Sequence, residues 1–367
     1  MTLLIRILMY GVRYMKGCVK IFITIILTIF ILGVLITVHE LGHYSAARIF
    51  KVSIREFAIG MGPKILRRTS KKTGIVYALR LFPIGGFVNM VGEDETADVY
   101  DKGALSNKPV WQRMVITISG AIMNLILGIL IMCVVIISTP TLGSTTVVKF
   151  NEDIALSYES GMMAGDEIYK IKDSRVHIAS ELVYEIMRNG TEPVEVTVIR
   201  DDQKIVLYDV NFPVVTSQGH EYGKVDFYVT SVPKNVFNVI KHSYYQSVSS
   251  MKMIWQSFFD LIGGKYGLED MSGPIGVTTA VGEAKEAGGN NLLYLSAIIT
   301  LNLGIFNILP LPALDGGRLI FQIVELIRKK PIKPEYEGYV HFAGIVLLMI
   351  LMVVVAYQDI LKLFGGS

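Results

Sequence analysis

His39-Glu40-Leu41-Gly42-His43 sets two imidazoles four positions apart, with a carboxylate beside the first. On an α-helix, residues i and i+4 differ by about 40° around the axis, so both rings leave one face and can reach a single Zn2+. Glu40 is turned by about 100° from His39 and is placed to take a proton from a metal-bound water rather than to bind the metal. A hydrolytic zinc site needs three protein ligands and one open position. No further His or Glu follows closely on the same helix, so the third ligand must come from elsewhere in the chain.

These groups end a run too apolar for an ordinary soluble enzyme. The 367 residues are 51% hydrophobic and 18% charged, with a positive mean hydropathy, which points to a multi-spanning membrane protein. A span needs roughly 20 mostly apolar residues, and the clearest windows run from about Ile21 to Val38, Val115 to Ser138, Leu292 to Leu309 and Phe342 to Ala356. With their flanks they place transmembrane helices at 21–45, 111–139, 291–327 and 340–364. Ionisable groups are costly in such surroundings, and a divalent cation with its water would compensate them. Residues 1–20 form a basic and apolar segment carrying Arg6, Arg13, Lys16 and Lys20, like the start of a signal peptide. The apolar run behind it is too long and ends in His-Glu instead of a cleavage site, so it reads as a retained first span. Cys18 and Cys133 lie far apart beside or within apolar windows and read as small apolar fillers, neither a disulfide nor a metal site. A formal charge of +3 says little by itself, and no nucleic-acid partner is expected.

Between the spans the chain changes character. Residues 46–110 are polar and basic ("KILRRTSKK", Lys64 to Lys72), with a Gly-rich insert, "RLFPIGGFVNMVGED", expected as a membrane-associated β-hairpin or loop. Residues 144–233 alternate and carry charge, and "VEVTVIRDDQKIVLYDV" reads as two strands about a turn, so a small domain in water is expected there. In 236–290, Ile240, Tyr244, Val248, Met251, Trp255, Phe258 and Ile262 recur at steps of three and four. They imply an amphipathic helix, either in the membrane interface or packed on the soluble domain, followed by a loop. Lys and Arg are retained on the cytoplasmic side. The basic loop after span one and "RKKPIK" (Arg328 to Lys333) after span three therefore mark the cytoplasmic face, and the soluble domain lies outside. The basic residues before Ile21 pull the other way, but the two loops agree with each other.

Spans one and three then run in the same direction. "NLGIFNILPLPALDGGR" places Asp315 after Pro310 and Pro312 at the end of span three. His39, His43 and Asp315 can therefore meet at one depth as the three ligands of a zinc ion. The plainer alternative for Asp315 is a turn residue in Leu-Asp-Gly-Gly.

The pair of motifs, HELGH and Asn-x-x-Pro-x-x-x-Leu-Asp-Gly (Asn307 to Gly316), closely resembles the site-2 protease family of intramembrane zinc metalloproteases. It looks most like the bacterial regulator-of-sigma-E protease branch. "EFAIGMGPK" (Glu56 to Lys64), "PIGGFVNM" (Pro83 to Met90) and "SGPIG" (Ser272 to Gly276) read like the same branch, so the resemblance covers nearly the whole chain from about Ile21. It implies one Zn2+ per chain on His39, His43 and Asp315, Glu40 as general base, and Asn307 helping to hold substrate. It further implies a multi-pass enzyme of the bacterial cytoplasmic membrane with its site near the cytoplasmic side. Its substrates would be single-span membrane proteins, such as anti-sigma factors or signal-peptide remnants, trimmed beforehand by a site-1 protease. "GMMAGDEIYKIKDSRV" (Gly161 to Val176) is similar to the Gly-Leu-x-x-Gly-Asp segment of PDZ domains. The expected fold is thus a multi-spanning α-helical membrane protein of about four transmembrane helices, with a hairpin and one extracytoplasmic PDZ-like α/β domain serving as a size gate.

A peptide bond inside a transmembrane helix must be unwound before it can be cut, which strands backbone donors and acceptors in lipid. Gly85 and Gly86 allow an irregular backbone, and Phe87 to Met90 are expected as an edge strand that pairs with extended substrate. Asn302 and Asn307 offer side-chain amides, the alternative being polar glue between spans. His177 and His220 read as solvated residues in or just after the soluble domain, His242 lies at the amphipathic helix and His341 opens span four; none has a partner at ligand spacing. A non-catalytic membrane scaffold with a structural metal is the competing reading; it requires a fourth ligand that the flanking sequence does not supply. Inverted repeats, the mark of a transporter, are absent.

Overall fold

The computed structural model describes residues 2–93, 101–151, 155–217 and 219–364. The chain divides into two compact units, one of Met1–Ile131 with Met253–Ser367 and one of Met132–Lys252.

In the first unit, α1 (Thr2–Ile49) is one uninterrupted helix, so the segment expected separately at 1–20 continues into the first span. No proline breaks it, and Pro109 and Pro140 likewise stand just outside α2 (Val110–Ser138). Among the described residues, four stretches are long and apolar enough to cross a membrane: Val19–Ile49, Val110–Ser138, Gly289–Ile308 and Glu335–Lys362. Their outer faces carry bare hydrocarbon, with Phe30 65% and Phe342 67% exposed, a surface that lipid solvates and water does not.

Between α1 and α2 lie β1 (Ile54–Thr69) and β2 (Val76–Met90). The start of β1 is flanked on both sides by β2: Phe57 lies opposite Val88 and Tyr77, and Ile59 opposite Gly86 and Leu79. Glu56 ties the hairpin together, accepting from Lys64 at 2.6 Å and Arg80 at 2.8 Å. Arg80 also donates to the Gly62 carbonyl and lies 4.8 Å over the Phe87 ring. Burial opposes the charge on Glu56, but these two cations outweigh it and hold the carboxyl below its ordinary range. Ala47, Val52, Ile54, Ile75, Val88, Met90 and Ile116 close a small core beneath the sheet.

The second unit contains β3 (Leu142–Phe150), α3 (Leu156–Glu159), β4 (Glu167–Ile171), β5 (Ser174–Arg175), α4 (Ala179–Asn189), β6 (Val194–Arg200), β7 (Gln203–Val210), β8 (Val214–Ser217), β9 (His220–Gly223) and β10 (Phe227–Val232). The main sheet runs in the order β10-β3-β4-β6-β7 with antiparallel neighbours, and β8 and β9 pair separately. Alternation along β6 buries Val194, Val196 and Val198 with Ile168, Leu182 and Ile186. In "GMMAGDEI" the fully buried Asp166 receives both arms of Arg200, at 2.7 and 2.8 Å, and the Met163 N–H at 2.8 Å. That single carboxylate organises the turn before β4.

Helix α5 (Val236–Ile262) has the expected amphipathic spacing with a particular sense. Its small polar residues Ser243, Ser247 and Ser250 are buried, while Phe237, Ile240, Tyr244, Trp255, Phe259 and Ile262 are exposed. The serine hydroxyls donate to backbone carbonyls four residues back, so burial leaves them satisfied. The stretch expected as a loop after it contains α6 (Pro274–Glu286). The run expected as one span at 291–327 is two helices, α7 (Gly289–Ile308) and α8 (Asp315–Arg328). Pro310 and Pro312 in "ILPLPALDGG" lack the N–H groups a helix needs and force the break. The last helix is α9 (Pro334–Phe364).

Candidate metal centre

Helix α1 delivers His39 and His43 one turn apart, with ring centroids 4.7 Å from each other. Their Nε2 atoms are 3.1 Å apart. Asp315, the first residue of α8, brings Oδ2 to 3.0 Å from His39 Nε2 and 3.3 Å from His43 Nε2. Three ligands held about 2.0–2.1 Å from a tetrahedral Zn2+ would be separated by about 3.3 Å, so the observed triangle has the size that ion requires. Oδ2 is buried, yet neither nitrogen meets it with hydrogen-bond geometry. Three lone-pair atoms aimed at one point without a shared proton are costly unless a cation lies between them.

The second nitrogen of each ring is also engaged. His43 Nδ1 lies 2.8 Å from the Ile116 carbonyl, so it donates there and leaves Nε2 free for the metal. His39 Nδ1 faces the side-chain amide of the fully buried Asn124 at 3.3 Å, and Asn124 Oδ1 has no partner. Turning that amide over places Oδ1 against His39 Nδ1–H and satisfies both groups. Asn124→Leu, close in volume but without the acceptor, is expected to weaken zinc binding by about 10- to 100-fold in chelator competition; parent-like affinity would remove Asn124 from the centre's support.

Space for the rings comes from two glycines where α1 and α2 cross. A Cβ on Gly42 would lie 2.9 Å from Gly120 Cα and closer still to the Ser119 carbonyl. A Cβ on Gly120 would run into His43 Nε2 and lie 2.8 Å from His39 Cε1 and Nε2. Sequence reasoning missed Gly120, Asn124 and Ile116. The available signal was Asn124, a polar residue inside the apolar run "AIMNLILGIL".

Asp315 depends on an unusual turn. Ala313 has φ 74°, a left-handed conformation that costs a non-glycine residue about 1–3 kcal/mol. Side chains at Gly316 and Gly317 would collide with the carbonyls of Ile308, Leu309 and Leu311, so the start of α8 can fold back only on glycine. The N-terminal position also suits a carboxylate, which the helix dipole favours.

Glu40, next to His39 on α1, also meets the hairpin. A Cβ on Gly86 would sit 3.3 Å from Glu40 Cγ, so β2 reaches the helix there only because position 86 has no side chain. Glu40 makes no hydrogen bond or ion pair among the described residues. Gly85 has φ 89°, which bends the chain ahead of this contact. The stretch Gly86–Met90 pairs with Ile54–Ile59 on one side, and its other edge is unpaired among the described strands. Asn302 is exposed and Asn307 half-buried on α7; among the described residues neither hydrogen-bonds to the three converging groups.

A helix-borne histidine pair faces a carboxylate from a second helix, and the three groups could hold one metal ion, in a chain with helices long and apolar enough to cross a membrane. The sequence model of peptidase family M50 matches residues 27–351, and the chain belongs to that family. It is similar to the regulator of sigma-W protease RasP of Bacillus subtilis (31% identity, covering 93% of this chain and 99% of that protein). It is also similar to the zinc metalloprotease RasP of Bacillus licheniformis (30%, 93% and 99%). A Clostridium acetobutylicum protein provisionally named a zinc metalloprotease is 33% identical, over 92% of this chain and 98% of its own length.

Proposed function

We propose that this chain is a zinc-dependent endopeptidase of the bacterial cytoplasmic membrane that cuts single-span membrane proteins within their transmembrane segments. The observation that carries this reading is the convergence of His39 Nε2, His43 Nε2 and Asp315 Oδ2 at 3.0–3.3 Å, beside an unengaged Glu40. Zinc is the metal named for the relatives, and it suits two imidazoles and a carboxylate. Among the described residues three such ligands gather, which leaves a position for water as a hydrolytic site needs.

Held by His39, His43 and Asp315, Zn2+ supplies the Lewis acidity that polarises a carbonyl and acidifies water. Glu40 takes the proton from the attacking water and returns it to the departing amine nitrogen. The free edge at Gly86–Met90 hydrogen-bonds an unwound substrate segment, replacing partners lost from its helix. Asn307, with Asn302, offers amides to the same segment. The basic loops after spans one and three favour placing the centre near the cytoplasmic side. Residues 144–233, with the Asp166-centred turn in "GMMAGDEI", support a PDZ-like domain that admits substrates already shortened by a first protease. The name of the Bacillus subtilis relative supports a regulatory substrate such as an anti-sigma factor; a signal-peptide remnant has the same chemistry.

The test uses the full chain in liposomes with a single-span reporter. Cleavage is expected inside the span, lost on chelation and restored by Zn2+. Cuts confined to the water-exposed flanks, or turnover indifferent to chelator, would reject the proposal.

A further inference from the structure

We propose that His341 is a positioning residue for the third ligand, gripping the turn before Asp315 from α9. The inference rests on the reading of Asp315 as a ligand.

The turn between α7 and α8 has few ways to be held. Pro310 and Pro312 carry no N–H, and the N–H groups of Leu311 and Leu314 are spent within the turn, on Leu309 and Leu311 carbonyls. The N–H of Ala313, the residue in the left-handed conformation, instead donates to His341 Nδ1 at 3.1 Å. One turn along the same face of α9, Gly344 admits the backbone of Pro312: a Cβ there would lie 2.7 Å from Pro312 C and 2.9 Å from its carbonyl oxygen. A single face of α9 thus provides a recess for one residue of the turn and an acceptor for the next.

Two peptide units farther on is the carboxylate that faces both imidazoles. An N–H aimed at Nδ1 leaves the ring proton on Nε2. Nε2 is buried without a hydrogen-bond partner, and the Glu337 carboxylate stands 3.8 Å away. His341 therefore acts as an acceptor, and an aliphatic side chain of similar size would leave the Ala313 N–H stranded and the strained turn unsecured.

Zinc affinity of the full chain in detergent, measured by chelator competition, tests the proposal alongside reporter cleavage. Asn at 341 carries its amide oxygen near the position of Nδ1, whereas Gln carries it one carbon farther and Leu carries none. H341L and H341Q are expected to bind zinc about 10- to 100-fold more weakly, with H341N close to the parent in affinity and turnover. D315A separates the two readings. If D315A keeps the parent's affinity, Asp315 is not a ligand and this inference falls with that reading. If D315A loses zinc while H341L and H341Q bind like the parent, or H341N is as weak as H341Q, the ligand stands and the role of His341 is overturned. Should H341L fail to accumulate, the Asn and Gln variants decide the matter.

Discussion

Glu40→Gln is expected to keep zinc at the parent's affinity and to slow cleavage of a single-span reporter by about 10³-fold. The side chain makes no hydrogen bond or ion pair among the described residues, and its Cγ is the atom that β2 approaches at Gly86. An isosteric amide keeps that contact and the hairpin in place. It also leaves untouched the bonds from His43 to Ile116 and from His39 to Asn124 that orient the ligands. What it removes is the carboxylate next to the His39 ligand, and with it the proposed acceptor for the proton of water. Undiminished turnover would reject Glu40 as the base; loss of zinc together with activity would mean that the residue belongs to the ligand set.

Gly120→Ala is expected to weaken zinc binding by at least about 100-fold and to abolish cleavage with it. The added methyl occupies space held by His43 Nε2 and comes within 2.8 Å of two atoms of the His39 ring. Neither ring can step aside cheaply, because each is tied on its far nitrogen to α2, the helix that carries the substitution. Overpacking of this kind also costs about 1–3 kcal/mol of stability, so soluble yield and thermal unfolding in detergent should accompany the zinc measurement. Gly42→Ala is the informative comparison: its methyl presses on the Ser119 backbone instead of the rings. A folded Gly120→Ala protein with parent-like zinc affinity would contradict the geometry of the centre.

Much of the architecture was legible because it rests on local rules. Apolar runs pointed to four stretches of membrane-spanning length, the number found among the described residues, since hydrocarbon thickness sets how long such a run must be. The hairpin insert and the alternating strands of the second unit followed from Gly placement and period-two patterning. Asp315 was picked out at the proline-broken end of span three, with loop charges and helix direction as a check and the family resemblance beside it; its Oδ2 lies 3.0 Å from His39 Nε2. The third span was the weak point. Its prolines were noticed as breaks, but the continuation of apolar residues to Ile327 hid the fact that Asp315 starts a new helix. The loop after α5 concealed α6 because "PIGVTTAVGEAKE" has no strong apolar stripe. His341, which the sequence offered only as the opening of span four, accepts from a backbone N–H 28 residues before it.

By itself, the sequence determined which residues could do chemistry and on which helix faces they stand, because the angle between i and i+4 is a property of the backbone and needs no knowledge of the rest of the molecule. Only the tertiary structure decided that the His39–His43 face looks onto Gly120 and Asn124, that Glu40 looks onto Gly86, and that Ala313 is caught by His341. Those pairings depend on how closely helices and strands can approach, which is set by missing side chains and single hydrogen bonds between distant positions. A glycine at a helix crossing and a glycine in a loop look the same in the chain; they differ only in what a Cβ would strike.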